Sequence, residues 1–317
     1  TAFTRQGSLV RTQHRPPRRF SAKPMPHNQP VTPVTSSDGH RFDLIHAPAR
    51  DPKRTLLLIP GMGLSARQYI PLSLSLAERG IEVFIHEWRG IGSSNKRASR
   101  SENWNYHELL DVDLNASLAA VNEAREDRPV TIAGHSLGSQ FTLLLAARQP
   151  ALPDSLIVLA GGSPHWKNYP ALHSSFLLPI FHLLPMLGSI FGHYPGRQVG
   201  FAGREARSVM KDWTWTGRHG HYDLPSLDPN PSPGMAELSV PILGVRMADD
   251  WFVPKASLDG LLAQAPRCSA QQVVIDQLPD EAPTDHFAWL KAPHPVADQI
   301  ASFIEACCDP VPANQSS

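Results

Sequence analysis

Short, continuous runs of apolar residues recur along this chain, each bounded by glycine, proline or charged residues. Runs of this kind are typical of strands that are buried on both faces of a sheet. The predicted buried strands lie at 54–60, 81–88, 130–133, 155–160, 240–246 and 272–275. Residues 41–46 instead alternate between apolar and polar, and we expect them to form an early edge strand.

Between these runs, apolar residues recur every three or four positions, which is the period of an amphipathic helix. The predicted helices end at about residue 78 and at residue 148, and cover 106–125, 255–264 and 295–306. Strands that alternate with helices form βαβ units with right-handed crossovers. The chain is therefore predicted to have an α/β fold, with a mostly parallel sheet flanked by helices.

The alternation stops between residues 163 and 236, a segment rich in Pro, Trp, His and Gly. We interpret it as a cap inserted into a core made of residues 38–162 and 237–308. Residues 176–191 are strongly apolar, but with two prolines and a histidine they look too short for a bilayer span of about 20 residues. They are expected to form one or two cap helices and one wall of the substrate pocket, without stable membrane insertion.

Charge and cysteine content constrain the setting of the protein. Residues 1–37 hold six basic side chains and no acidic one, and this proline-rich arm is expected to be disordered, as is the tail 309–317. An Arg-rich arm also leaves organelle targeting open. The net charge of zero gives no electrostatic case for nucleic acid or for a membrane, and three cysteines cannot build a disulfide framework. A cytoplasmic location is the expectation, and the oligomeric state is not determined.

The most informative motif is a G-x-S-x-G sequence at 134–138, directly after a predicted strand and directly before a predicted helix. A sharp strand-to-helix turn exposes the hydroxyl of Ser136, and its small flanking residues permit close backbone packing. The following helix N-terminus stabilises negative charge that develops nearby. Ser136 is therefore predicted to be a nucleophile.

A serine nucleophile requires a base and a residue that orients it, and in this motif class they follow in the order Ser, acid, His. His286 lies in a loop before the last helix, and Asp250 lies just past a predicted strand. Asp249 is the alternative acid, but adjacent side chains of an extended segment point to opposite sides. His294 is the alternative base, and His135 is expected to support the site from behind.

An oxyanion hole needs two backbone N–H donors. Leu137 follows the nucleophile and should supply one donor, and Met62 in the loop at 60–63 should supply the other. His219 and His221 lie in an aromatic cluster of the cap, where packing or substrate contact is favoured over metal binding. We predict no metal and no cofactor.

With these residues in place, the chain resembles the α/β-hydrolase superfamily over about residues 38–306. It is similar, more closely, to an uncharacterised branch of bacterial predicted α/β-hydrolases, through the turn at 89–93, the segments 134–140 and 194–213, and the sequence 249–254. In the resembling family, the acid is followed by two residues and then by a small apolar residue and proline, a spacing that favours Asp250. The usual His-Gly before the oxyanion loop is Pro60-Gly61 here.

The resemblance implies hydrolysis of an ester, or of a thioester or amide, through an acyl-enzyme on Ser136. The substrate is expected to be a small, apolar acyl compound. Acyl transfer to an acceptor other than water uses the same three residues and stays open, as does a non-catalytic binding protein. Epoxide hydrolase and dehalogenase chemistry is disfavoured, because those enzymes carry an aspartate in place of Ser136.

Overall fold

The computed structural model describes residues 29–307. Within them, eight strands form one sheet in the order β1-β2-β4-β3-β5-β6-β9-β10. These strands are β1 (Val31–Thr35), β2 (Arg41–Ala47), β3 (Arg54–Ile59), β4 (Ile81–Ile85), β5 (Val130–His135), β6 (Ser155–Leu159), β9 (Ile242–Met247) and β10 (Ala270–Ile275). Strand β2 pairs antiparallel with β1 and β4, and every other neighbouring pair is parallel. The mostly parallel sheet confirms the predicted fold class.

Helices cover both faces of this sheet. The core helices are α1 (Ile70–Ala77), α2 (Asn115–Ala124), α3 (Leu137–Arg148), α8 (Lys255–Leu262) and α9 (His294–Ala306), and a π-helix, Glu108–Leu114, leads into α2. Leu57 and Ile59 of β3 pack with α2, α3 and α8, whereas Leu56 and Leu58 pack with α1 and α9. Successive strand residues point to opposite faces, so a continuous apolar run serves two cores at once.

The N-terminal boundary and the edge of the sheet differ from the prediction. Residues 31–35, which were assigned to a disordered arm, form the edge strand β1 against β2. The strand at 41–46 is consequently not an edge strand, since it lies between β1 and β4. β1 is mostly exposed and buries only Val34, so its sequence carries little hydrophobic signal. The remainder of the predicted arm, residues 1–28, and the predicted tail lie outside the described residues.

The segment between β6 and β9 forms a helical cap. Its elements are α4 (Ala171–Phe191), β7 (Tyr194–Pro195), α5 (Gly196–Val199), β8 (Arg204–Glu205), α6 (Arg207–His219) and α7 (Ser232–Glu237). The last helix, α7, packs against α3 through Gly234 and Ala147, with Met235 in the main core. α7 therefore packs in the helical layer of the core. The part of the cap that is separate from the core ends before α7, earlier than the predicted boundary at residue 236.

The apolar stretch of the cap is longer than the sequence pattern suggested. α4 is one helix of 21 residues that continues through Pro179 and Pro185. By length and composition alone, this helix could cross a membrane. The expectation that the apolar stretch is too short for a bilayer span is therefore wrong. Only 22% of its most apolar window is buried, so most of this helix is not core.

Candidate active site

Ser136 stands at a sharp turn between β5 and α3. Its backbone has φ 54° and ψ −117°, a conformation that L-residues rarely adopt. The chain can turn this tightly because a Cβ on Gly134 would overlap the backbone of Gly138, and a Cβ on Gly138 would overlap the carbonyls of Ile59 and Pro60. Strain of this kind is characteristic of functional sites.

His286 and Asp250 complete a hydrogen-bonded chain that begins at Ser136. His286 Nε2 is 2.9 Å from Ser136 Oγ, and His286 Nδ1 is 2.7 Å from Asp250 Oδ2. A carboxylate only accepts, so Nδ1 carries the proton and Nε2 is left free to accept the serine proton. Asp250 Oδ1 accepts from the backbone N–H groups of Phe252 and Val253, at 2.9 and 3.1 Å, and this fixes the carboxylate.

The alternative acid and base lie elsewhere. Asp249 is exposed and accepts a hydrogen bond of 2.6 Å from the Thr284 hydroxyl, so it anchors the loop that carries His286. His294 begins α9, and its Nδ1 lies 3.0 Å from Ser75 Oγ of α1. Neither side chain forms a hydrogen bond with Ser136, and the structure brings together Ser136, His286 and Asp250.

The two predicted oxyanion donors lie beside the same small cavity. Met62 and Leu137 line it, together with Gly63 of the same loop. In the described part of the chain, neither of their backbone N–H groups donates to another protein group. The loop is fixed against the nucleophile because Trp88 Nε1 donates to the Pro60 carbonyl at 2.9 Å, and a Cβ on Gly61 would lie 3.2 Å from Ser136 Cβ.

His135 links the oxyanion loop to the base. Its Nε2 lies 3.1 Å from the His286 carbonyl and its Nδ1 lies 2.7 Å from the Tyr69 hydroxyl, which accepts from Gly61 N–H at 2.8 Å. A carbonyl only accepts, so Nε2 donates and Nδ1 receives the tyrosine proton. Burial, with the neighbouring His286, lowers the pKa of His135 well below its usual value, and the ring is therefore neutral. Tyr69 was missed in the sequence, where nothing distinguishes it from a core tyrosine.

The rest of the cavity is mostly apolar, and one acid is buried in it. Trp88, Trp104, Leu109 and Val209 complete most of its wall, whereas α4 contributes nothing to it. Neither Ser136 nor His286 lines this cavity of about 10 Å³, so the expected role of α4 as a wall of the substrate pocket stays a prediction. Glu205 also lines it, and burial raises the pKa of this carboxyl to about 7, against a hydrogen bond from Gly203 N–H. Sequence reasoning missed Glu205, because its burial depends on the cap.

A series of aromatic side chains connects His286 to the cap. Phe252 lies 5.1 Å from the imidazole, Phe201 lies 6.4 Å from Phe252, and Trp213 lies 5.4 Å from Phe201 (ring centroids). His219 instead stacks on Trp215 at the end of α6. No group of three His, Cys, Asp or Glu side chains suited to a metal ion is present among residues 29–307.

Comparisons with known proteins agree with this architecture. Residues 50–199 match the family described as serine aminopeptidase, S33. The chain has the α/β-hydrolase fold, which the similar solved structures share. No curated protein matches the sequence, and the comparisons do not distinguish a branch of the superfamily.

Solved structures with the same fold include several lipolytic enzymes. A soluble variant of monoglyceride lipase from Saccharomyces cerevisiae has a TM-score of 0.62 at 15% identity, and the alignment covers 90% of this chain and 99% of that one. An esterase from Exiguobacterium antarcticum has a TM-score of 0.58 at 16% identity, over 86% and 99%. A bacterial membrane phospholipase A has a TM-score of 0.56 at 16% identity, over 89% and 87%. At these identities the likeness concerns the fold.

Proposed function

We propose that this protein hydrolyses a carboxylic ester through an acyl-enzyme on Ser136. The observation that carries the proposal is the hydrogen-bonded chain from Asp250 through His286 to a serine held at a strained turn. The esterases and lipases among the similar structures support an ester as the substrate class.

In this mechanism, His286 Nε2 takes the proton of Ser136 Oγ as the hydroxyl attacks the ester carbonyl. The oxyanion that forms accepts hydrogen bonds from the N–H groups of Met62 and Leu137, and the N-terminus of α3 adds a favourable field. His286 then gives its proton to the leaving alcohol, and water repeats the sequence to release the acid. Asp250 holds the imidazole in the required tautomer throughout. These steps need no cofactor or metal.

The side chains beside Met62 and Leu137 are mostly apolar, which supports an apolar acyl group as the part of the substrate that lies against them. Cys268 and Cys307 are free thiols, which supports the proposal of a reducing, cytoplasmic setting.

A fluorophosphonate probe tests the proposal directly. The probe should label wild type on Ser136, and Ser136→Ala should lose both the label and p-nitrophenyl ester hydrolysis, with kcat lower by a factor on the order of 10⁴. Label on another residue, or activity that survives the substitution, contradicts the assignment. Faster product release on adding alcohol acceptors, with ester formed in place of acid, identifies an acyltransferase instead.

A further inference from the structure

One face of α4 is apolar and uncovered. Its large side chains follow helical spacing, so they form a single stripe, and each is between 40% and 69% exposed. The stripe, here named the outer face of α4, consists of Leu172, Phe176, Ile180, Leu183, Met186 and Ile190. Scattered exposed apolar residues are ordinary, but a continuous stripe of this length marks an interaction surface.

The opposite face of α4 is held by the cap. Phe181 packs edge-on against Trp213 and against Gly217, where any Cβ would overlap its ring. The Phe181 carbonyl accepts a hydrogen bond of 2.6 Å from Arg218. A helix that packs along one side against the cap cannot span a bilayer. Its outer face can therefore be covered only by a surface on which the whole cap docks.

The charge around α4 indicates what covers it. The sequence has no Asp or Glu between Asp154 and Glu205, and Glu205 is buried. Lys167 is exposed just before α4, and the exposed Arg100 donates to the Ile190 carbonyl at its last turn. The apolar stripe therefore has cations at both ends. A second copy packed here by a two-fold axis would have no acid of this segment to pair with them, whereas an anionic surface complements them.

The outer face continues to the rim of the active site. The ring of His173, in the first turn of α4, stacks with Trp251, which follows Asp250 in the chain and is 59% exposed. Phe287 is also exposed and lies 4.7 Å from His286, between ring centroids. Exposed aromatic side chains with an adjacent apolar surface favour the boundary between lipid and water.

We propose that the outer face of α4, with Trp251 and Phe287, docks on the surface of an anionic lipid bilayer. α4 lies in the plane of the interface, its apolar stripe sits among the acyl chains and Lys167 and Arg100 meet lipid phosphates. The rim of the Ser136 site then faces the lipid, from which a lipid ester enters. Only the entry of a lipid ester rests on the proposed function, because docking requires no catalysis.

Vesicle flotation of the full chain tests docking. Vesicles of phosphatidylcholine with about one third phosphatidylglycerol should carry the protein, and phosphatidylcholine alone should carry at least about fivefold less, since each basic residue contributes to binding of an anionic surface. Phe176→Ser with Leu183→Ser should lower the bound fraction at least about tenfold, because two large apolar groups stay in water. The matched control is Val31→Ser with Val274→Ser, equally exposed on the two edge strands, which should bind as wild type does.

Three results overturn the proposal: wild type that floats with neither vesicle, an α4 variant that floats as well as wild type, or equal flotation with both lipids. A lipid-free dimer that the α4 variant converts to a monomer in sedimentation velocity assigns the outer face to a second copy. Hydrolysis of a short soluble ester should be unchanged in the α4 variant. Loss of flotation alone therefore reports on docking, and absence of hydrolysis in wild type reports on the proposed function.

Discussion

Ser136 and Asp250 show how single residues depend on their immediate backbone. The positive φ of Ser136 costs on the order of 1–3 kcal/mol, and the two glycines of the turn allow its neighbours to close around it. Asp250 receives two backbone N–H groups and one imidazole N–H, and is thereby fixed as the acceptor for His286. The preceding residue, Asp249, has the same carboxylate group, but its side chain accepts from Thr284 and not from His286.

This difference gives a test with a built-in control. Asp250→Asn replaces the acceptor of His286 Nδ1–H with an amide that favours the wrong imidazole tautomer, and kcat should fall by about 10⁴ while the fold persists. Asp249→Asn alters a hydrogen bond to Thr284 and should cost less than about tenfold. Both values come from the same p-nitrophenyl ester assay. The reverse ranking of the two variants assigns the role to Asp249.

Tyr69 is expected to position the oxyanion loop. Tyr69→Phe removes the acceptor of Gly61 N–H and the donor to His135, so Met62 next to Gly61 is held less precisely. We expect kcat to fall about tenfold with KM nearly unchanged, because the loss concerns the transition state. The substitution is measured well below the melting temperature, so that the rate reports on geometry and not on unfolding.

Tyr106→Phe is the matched control for Tyr69→Phe. Tyr106 is also fully buried, but its hydroxyl has no hydrogen-bond partner in the described part of the chain. Its removal should therefore leave kcat unchanged and should not lower stability. Equal kcat losses in the two variants indicate a general packing effect and contradict a positioning role for Tyr69.

At the scale of elements, a buried ionic cluster fastens the π-helix to the N-terminal strands. Asp113 accepts from Ser36, His40 and Arg89 at 2.7–2.9 Å and is fully buried. Burial alone would raise the pKa of Asp113, but the hydrogen bonds from Arg89 and His40 outweigh it and lower that pKa to about 2. The stability that Asp113 contributes is therefore present above pH 3.8 and is lost as the pH falls towards 2.

Asp113→Ala should lower the free energy of unfolding by about 3 kcal/mol at neutral pH, since it removes one of the two carboxylates that pair with the buried Arg89 and leaves only Asp38. The matched control, Asp111→Ala, lies in the same π-helix and removes a partly exposed ion pair with Arg148. It should cost about 1 kcal/mol or less. Urea unfolding measures both. Equal costs would show that the cluster contributes no more than a surface pair.

At the scale of the whole molecule, the cap makes stability depend on pH through Glu205. This carboxyl is fully buried, and its pKa rises from 4.5 to about 7. The folded state therefore holds the proton more tightly than the unfolded state. The contribution of Glu205 to stability is therefore full below pH 4.5 and is lost as the pH rises through 7, since the unfolded chain then binds fewer protons than the folded one.

Glu205→Gln removes this dependence. It should match wild type near pH 4.5 and exceed it by on the order of 3 kcal/mol at pH 8, the equivalent of the shift in pKa. Thermal unfolding across this pH range measures the difference. Glu123→Gln, at an exposed position on α2, should give no such divergence. A constant offset between wild type and Glu205→Gln at every pH contradicts the assignment.

The sequence by itself predicted seven of the eight strands of the sheet, the turn at Ser136 and the choice of Asp250 and His286. These follow from local signals, because a doubly buried strand needs a continuous apolar run and a sharp turn needs glycine at fixed places. Those three side chains are also the ones that the structure brings into contact. The catalytic roles given to them remain a prediction that awaits the experiments above.

Only the tertiary structure decided which partners distant residues meet. The strand β1 has almost no hydrophobic signal and exists because β2 offers it an edge. Tyr69 reaches His135 across 66 positions, and Glu205 is buried because the cap closes over it. The composition of α4 is the same whether its apolar face is buried or exposed, and the packing of Phe181 inwards decided that Phe176 and Leu183 face outwards. Helical spacing places these side chains on one face, but only packing decides which face of the helix is buried.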